Sequence, residues 1–491
     1  MRTRRDQVQA YRFVTRRIVS ALLAGDPETT NLPMRRLGMA VAGSVLAAAV
    51  VLGVAGAYGQ LTGNTAPLEE KTLVIERETG ATYVFLEGTL HPTLNYASAR
   101  LILNEPDPQV RTMSRKAIGD RPRGRTVGIV GAPDALPDRG SLVELPWSVC
   151  DVPDPADSRR SRTRMVVGRP LTGGAPLADR AVLVESDGQR FLLTGGSRLQ
   201  VVGDEGTLAA LRMTGAPTLG VGQQLLNAVP AGPPLRRPAI EGDGSPSGRT
   251  VGDRPARVGE VFRAAGAHYV LTREGLANIG EITALLLSSD DGQIRDISPD
   301  QAGELFDGRR LEADGMPTKL PALYPVRAGQ TVVCATYRAG PAGGPPTTAL
   351  EVFDRAPAEL SAPGGTSVRQ GARDAVRTAE EVLLPHGKGV LVQAAPGAGE
   401  SAEAAAGATV YLIGGQGVRH PLGRASGDAV AALGYGGVPP LVVPSALLAL
   451  VPTGPTLQRE DALAHYAADD EEAGGAPAPS GPAAQGSTRG G

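Results

Sequence analysis

The chain has 491 residues, a formal net charge of -2, 3% aromatic residues, and 65 Gly with 41 Pro. That length exceeds one ordinary domain, and the composition favours small cores and many turns. Residues 1–36 hold eight Arg against Asp6, Asp26 and Glu28, so the remainder carries a net of -7, which excludes bulk neutralisation of nucleic-acid phosphates.

The first expected element is a basic amphipathic helix. Val8, Tyr11, Val14, Ile18 and Leu22 recur at three- and four-residue steps, with Arg12, Arg16 and Arg17 interspersed, and Asp26-Pro27 stops the pattern. Such a stripe suits docking on a partner's cytoplasmic domain or lying on anionic lipid; a plain basic anchor would not need it. From Leu37 to Tyr58 the chain then runs 22 residues without a charge. A helix of that length spans about 33 Å, enough for a hydrocarbon layer of about 30 Å. The run is longer and starts later than a signal-peptide core. Arg35 and Arg36 precede it, and no Lys or Arg follows until Lys71. The positive-inside rule therefore places residues 1–36 in the cytoplasm and everything after Tyr58 outside.

Four segments beyond the span share a plan of short apolar strand, Gly-containing turn and helical stretch. They begin at Tyr83–Leu86, Phe191–Leu193, Tyr269–Leu271 and Tyr411–Ile413, with helical stretches at Tyr96–Leu103, Thr207–Leu211, Glu281–Leu287 and Asp428–Leu433. An aromatic residue opens each strand, which predicts one buried slot filled four times. Leu225-Leu226, Val229-Pro230, Gly232-Pro233 and Leu235 recur 222 residues later as Leu447-Leu448, Val451-Pro452, Gly454-Pro455 and Leu457. The apolar runs Ala181–Glu185 and Thr331–Cys334 read as strands of a central β-rich region.

The predicted fold class is α+β: an N-terminal amphipathic helix, one transmembrane helix, and an elongated extracytoplasmic region with four small strand-turn-helix repeat domains around a central β-rich domain. The expected boundaries are a basic cytoplasmic segment (1–36), the transmembrane helix (37–58), a linker with the first strand (59–80), repeat one (81–140) and the first part of the central domain (141–188). Repeat two (189–236), a linker (237–258), repeat three (259–325), the second part of the central domain (326–393) and repeat four (394–460) follow. Pro/Gly-rich composition makes 231–257 and 394–408 mobile connections, and 467–491 a disordered tail.

Cys150 and Cys334 both fall outside the membrane on this orientation, where an oxidising compartment favours a disulfide; two buried free thiols are the alternative. Catalytic patterns are sparse. No G-x-x-x-x-G-K-[ST] or G-x-S-x-G occurs, and Gly415-Gln416-Gly417 lacks the third glycine of a dinucleotide loop. His91, His268, His386, His420 and His465 show no metal-ligand spacing, and the His91-Pro92 and His420-Pro421 pairs read as turns. No catalytic residue, metal or cofactor is expected.

Several stretches together resemble the EccB family, a core membrane component of the actinobacterial type VII (ESX) secretion system. They are Arg5–Tyr11 with Arg16-Arg17, Asn95–Leu101, Gly128–Asp134, Trp147–Cys150, and the closing Leu433–Tyr435 with Leu447–Leu457. The resemblance runs from residue 5 to about 460. It implies a single-pass scaffold subunit of the cell membrane, with four repeat domains around a central β domain bridged by Cys150 and Cys334. It further implies contact with other membrane components, including an FtsK/SpoIIIE-type ATPase and a polytopic channel subunit. Self-association outside the membrane and, in some assemblies, a membrane-anchored subtilisin-like protease complete the implied partners; no nucleic acid is among them. Family members often carry an ATPase label that no phosphate-binding loop here supports. An ATPase with an unfamiliar site and a cell-wall-binding repeat protein are the competing readings.

Overall fold

The computed structural model describes residues 4–25, 33–63, 67–119, 121–154, 161–288, 294–360, 378–396, 407–424 and 427–464. The Asp26-Pro27 helix stop, His465, most of the 394–408 linker and the 467–491 tail lie outside the described residues. Residues 1–90 with 109–123 form one compact unit, and residues 91–108 with 124–491 form another.

The first unit opens with α1 (Arg4–Ala24) and α2 (Pro33–Gly63). Within α2, Leu37–Ala57 is long and apolar enough to cross a membrane. Next come β1 (Thr72–Glu76), β2 (Thr82–Leu86), β3 (Thr89–Pro92), β4 (Val110–Met113) and a short α4 (Arg115–Ile118). The strands form a sheet of order β3-β2-β1-β4, antiparallel except that β1 runs parallel to β4. Its core is Val74, Tyr83, Phe85, Leu90, Met113 and Ile118. Glu87 and Gly88 turn β2 into β3 with φ of 49° and 73°, the left-handed pair a two-residue hairpin requires.

The second unit contains α3 (Tyr96–Leu103), started by the Asn95 side chain accepting the Ser98 N–H. Its six-stranded sheet has the order β22-β6-β5-β20-β21-β7. The strands are β5 (Trp147–Pro153), β6 (Ser161–Val167), β7 (Ala175–Pro176), β20 (Val332–Arg338), β21 (Thr347–Phe353) and β22 (Glu381–Leu383). Three further sheets repeat the strand order of the first unit. One is β10-β9-β8-β11, built from β8 (Arg180–Ser186), β9 (Gln189–Thr194), β10 (Ser197–Gln200) and β11 (Thr218–Gly220), with β19 (Ala322–Leu323) also pairing parallel to β8. Another has β14 (Val261–Ala264), β15 (Ala267–Leu271), β16 (Leu276–Ile279) and β17 (Arg295–Asp296) in the order β17-β14-β15-β16, with β18 (Phe306–Arg310) added at the β16 edge. The last is β25-β24-β23-β26, from β23 (Val390–Ala394), β24 (Thr409–Ile413), β25 (Arg419–Arg424) and β26 (Leu441–Val443). Each sheet has its helix after the third strand: α3, α5 (Asp204–Ala210), α7 (Glu281–Leu287) and α9 (Asp428–Ala432). Completing the chain are α6 (Gln223–Ala228), α8 (Pro299–Leu305), α10 (Ser445–Leu448) and α11 (Arg459–Leu463).

Several expectations change. Thr331–Cys334 does enter the six-stranded sheet, but Ala181–Glu185 is β8, the partner of β9 across an Asp187-Gly188 hairpin. Val390–Ala394 likewise joins the β24 sheet and not the central one. An apolar strand buried on both faces carries no mark of which sheet it enters; register with its neighbour decides. The 237–258 linker holds an ordered hairpin of β12 (Pro246–Val251) and β13 (Arg254–Arg257), where alternating burial of Thr250 and Val251 and turn glycines offset the Pro/Gly content. His91-Pro92 and His420-Pro421 lie in third strands and not in turns. The four aromatic residues do not fill one slot: Tyr83 and Phe191 are buried, whereas Tyr269 and Tyr411 are half-buried. Arg198 covers Phe191 and Arg419 covers Tyr411 at 5.8 and 5.3 Å from guanidinium carbon to ring centroid, while Tyr269 meets Phe306 edge-on at 6.1 Å.

Candidate assembly surfaces

On α1, Val8, Tyr11, Val14, Ile18 and Leu22 are all more than half exposed, Tyr11 and Leu22 at 75% and 79%. Arg12, Arg16 and Arg17 are exposed as well. Helical spacing of 100° per residue puts the five apolar side chains on one stripe and Arg12 with Arg16 beside it. Phe13, also exposed, lies off that stripe beneath the Arg17 guanidinium at 5.8 Å. The stripe was legible in the sequence; the Phe13–Arg17 pair follows from an i,i+4 spacing that went unread.

Cys150 and Cys334 form a disulfide with Cα atoms 4.1 Å apart. They are directly opposed partners on the antiparallel strands β5 and β20, and both are fully buried. Beside the bridge, Asp151 is 3% exposed. Its Oδ1 accepts the Thr163 hydroxyl at 3.0 Å and its Oδ2 the Gly222 N–H at 3.2 Å, which ties the central sheet to the start of α6. Burial pushes this carboxyl up to about 6, against hydrogen bonds from Ser161, Thr163 and Gly222 that pull it down. Glu380, whose carboxylate takes the Thr163 N–H at 2.7 Å, adds a like charge nearby.

The two blocks related by 222 residues meet in one core. Leu225, Leu226 and Val229 pack with Leu447, Leu448 and Val451, together with Trp147, Val149 and Met165 of the central sheet. A second correspondence lies just beyond. Arg237 donates to the Leu287 carbonyl at the end of α7, and Arg459, 222 positions later, donates to the Ile102 carbonyl at the end of α3 at 3.4 Å. Both guanidinia answer helix-terminal carbonyls that lack an intrahelical partner. The helix α7 also buries Ile282, Leu285 and Leu286 against Leu208, Leu211 and Met213. Around α3, Arg100 Nε donates to the Ala432 carbonyl at 3.2 Å, Arg139 donates to the Gly434 and Gly436 carbonyls, and Tyr435 donates to the Pro137 carbonyl at 2.7 Å.

Titratable groups are dispersed. Among the described residues no group of three or more His, Cys, Asp or Glu is placed to hold a metal. His420 is buried with Nδ1 3.2 Å from the Pro455 carbonyl, and burial holds its imidazole below the usual histidine range. Gly415-Gln416-Gly417 connects β24 to β25, so it precedes a strand and not the helix N-terminus a dinucleotide loop requires.

The sequence matches the family model for the "Type VII secretion system ESX-1, transport TM domain B" over residues 1–468. The chain belongs to that family. It is 31% identical over 486 residues to the "ESX-3 secretion system ATPase EccB3" of Mycolicibacterium smegmatis, covering 94% of this chain and 90% of the relative. Identity to the "ESX-1 secretion system ATPase EccB1" of the same species is 29% over 483 residues, covering 94% and 95%. Among solved structures, a chain of the intact ESX-5 inner membrane complex aligns over 99% of this chain and 98% of its own length, with a TM-score of 0.67 and 24% identity. The EccB3 dimer from the ESX-3 core complex aligns over 80% of this chain and 99% of its own, with a TM-score of 0.62 and 28% identity. In this EccB-family member the β5–β20 bridge, the exposed α1 stripe and the apolar helix Leu37–Ala57 are the features that bear on assembly.

Proposed function

We propose that this chain is a structural subunit of a type VII secretion membrane complex and acts by assembly, not by catalysis. The carrying observation is the family match along residues 1–468, in a chain where the apolar helix Leu37–Ala57 lies in sequence between an exposed amphipathic helix and a disulfide-bonded β region. In this reading residues 1–36 are cytoplasmic, Leu37–Tyr58 crosses the cell membrane once, and the remainder is extracytoplasmic. Four repeat domains surround the central β domain, an arrangement supported by the shared strand order of the four small sheets.

Val8, Tyr11, Val14, Ile18 and Leu22, with Arg12, Arg16 and Arg17, form the cytoplasmic contact surface. Its partners are other components of the complex, an FtsK/SpoIIIE-type ATPase and a polytopic channel subunit. Self-association of the extracytoplasmic part accords with the EccB3 dimer among the similar structures, and a membrane-anchored subtilisin-like protease joins in some assemblies. ATP hydrolysis belongs to the partner, although the relatives carry "ATPase" in their names.

The test is a mild-detergent pull-down of the tagged full-length chain with mass spectrometry. Both partner classes are expected with the intact chain and lost on replacing Val14 and Ile18 by Asp. Recovery of the chain alone, from an extract in which the membrane complex is intact, refutes the assignment. Nucleotide binding by the purified chain would revive the enzymatic reading.

A further inference from the structure

Between the segment that follows α6 and the β14–β17 sheet, the second unit opens a groove of about 840 Å³. Among the described residues Arg237, Arg254, Arg257 and Arg295 line it, with Asp243 and Glu260 as the carboxylates. Those two are already engaged: Asp243 takes Arg237 at 3.0 Å and Glu260 takes Arg295 at 2.8 Å. Arg257 donates from its guanidinium to the Gly244 carbonyl at 2.8 Å. Arg254 reaches only its sequence neighbour Asp253, at 3.5 Å and with side chains 74% and 88% exposed, a pairing of negligible strength. The groove therefore carries two guanidinium charges in excess of its carboxylates, in a region whose net charge is negative.

A second groove of about 590 Å³, lined by Ala209, Ala210 and Leu285, shares Arg237 and Ser288 with the first, so the two adjoin. This opening is not imposed by the fold. Aligning α3 with α7 at their N-caps, Asn95 and Gly280, puts Arg100 where α7 has Leu285. Arg100 spans to the Ala432 carbonyl, whose counterpart 222 residues earlier is Ala210. The α3 side is thus bridged by an arginine, whereas the α7 side has the buried Leu285 and the half-buried Ala210 at the corresponding positions, beside the exposed Ala209. The basic wall comes in part from the β12–β13 hairpin, an addition preceding the β14 sheet.

We propose that these two adjoining grooves together receive an extended acidic peptide segment of a partner protein. Its carboxylates meet Arg254 and Arg257, and an apolar side chain rests on the Ala209, Ala210 and Leu285 floor. The four arginines are spread over three elements, the segment after α6 (Arg237), β13 (Arg254 and Arg257) and β17 (Arg295), which suits acidic residues spaced along a chain better than one phosphate. The apolar floor offers nothing to a free oxyanion, and an open groove does not enclose an acyl chain.

The probe is a fluorescein-labelled peptide alternating Asp with Leu, titrated by anisotropy into the full-length protein in zwitterionic nanodiscs. Saturable binding is expected, weakened at high salt, and weakened about tenfold by Arg254→Glu with Arg257→Glu. Both substitutions lie on an exposed hairpin, and unchanged Trp147 fluorescence verifies that the variant is folded. Ala209→Trp, which obstructs the floor without altering charge, is expected to weaken the same peptide. Equal binding of the Asn-for-Asp peptide, or no effect of either variant, overturns the proposal. Displacement of the peptide by pyrophosphate or by phosphatidylglycerol vesicles, with the same arginine dependence, overturns it in favour of a phosphate ligand.

Discussion

Asp151 makes the stability of the central sheet depend on pH in a direction opposite to that of an ordinary ion-paired carboxylate. In the unfolded chain its carboxyl titrates near 3.8, whereas burial raises it to about 6 in the folded protein. The folded state therefore holds the proton more tightly, so stability from this group is greatest below about pH 4 and declines as pH rises toward 6. Above 6 the group contributes no further slope. At about 1.36 kcal/mol per pK unit the difference corresponds to about 3 kcal/mol. Asp151→Asn removes the ionisation while keeping the shape, so the free-energy gap between wild type and variant should shift by about 3 kcal/mol between pH 4 and 7, favouring wild type at the acidic end. The assay is urea unfolding of the full chain in detergent, followed by the fluorescence of Trp147. That residue is the only tryptophan, fully buried, and on the same strand as Asp151. Parallel pH profiles for the two proteins would refute the argument.

The Cys150–Cys334 bridge closes a loop with a sequence separation of 184, and Cys150→Ser with Cys334→Ser is expected to lower stability by about 2–5 kcal/mol. Thermal unfolding with and without reductant checks this, and a variant as stable as the oxidised protein would contradict it. A Cβ on Gly454 would stand 2.4 Å from the His420 ring, whereas one on Gly414 meets nothing within 4 Å. Gly454→Ala should cost about 1–3 kcal/mol and lower Tm, with Gly414→Ala as the near-neutral control; equal melting of the two would show that the His420 packing is not what restricts position 454.

The apolar helix long enough to cross a membrane, the α1 stripe and the 222-residue duplication were legible in the chain because each is written in local periodicity or direct recurrence. Val8 to Leu22 needs only a helix to become a face, and Leu37–Tyr58 needs only length and the absence of charge. The four strand-and-helix segments were found for the same reason, yet only as the second strand and helix of each sheet; the flanking strand Ala181–Glu185 was read as a strand but assigned to a different sheet. Tertiary structure alone decided the rest. That Cys150 and Cys334 stand directly opposed depends on register between distant strands; β8–β9 and β12–β13 are local hairpins, yet which sheet each joins is decided by the elements packed around them. Local composition does not encode register. Arg237 and Arg459 look like any two of the chain's many arginines until α7 and α3 each present a terminal carbonyl, because a helix end acquires its partner only when another element is packed against it.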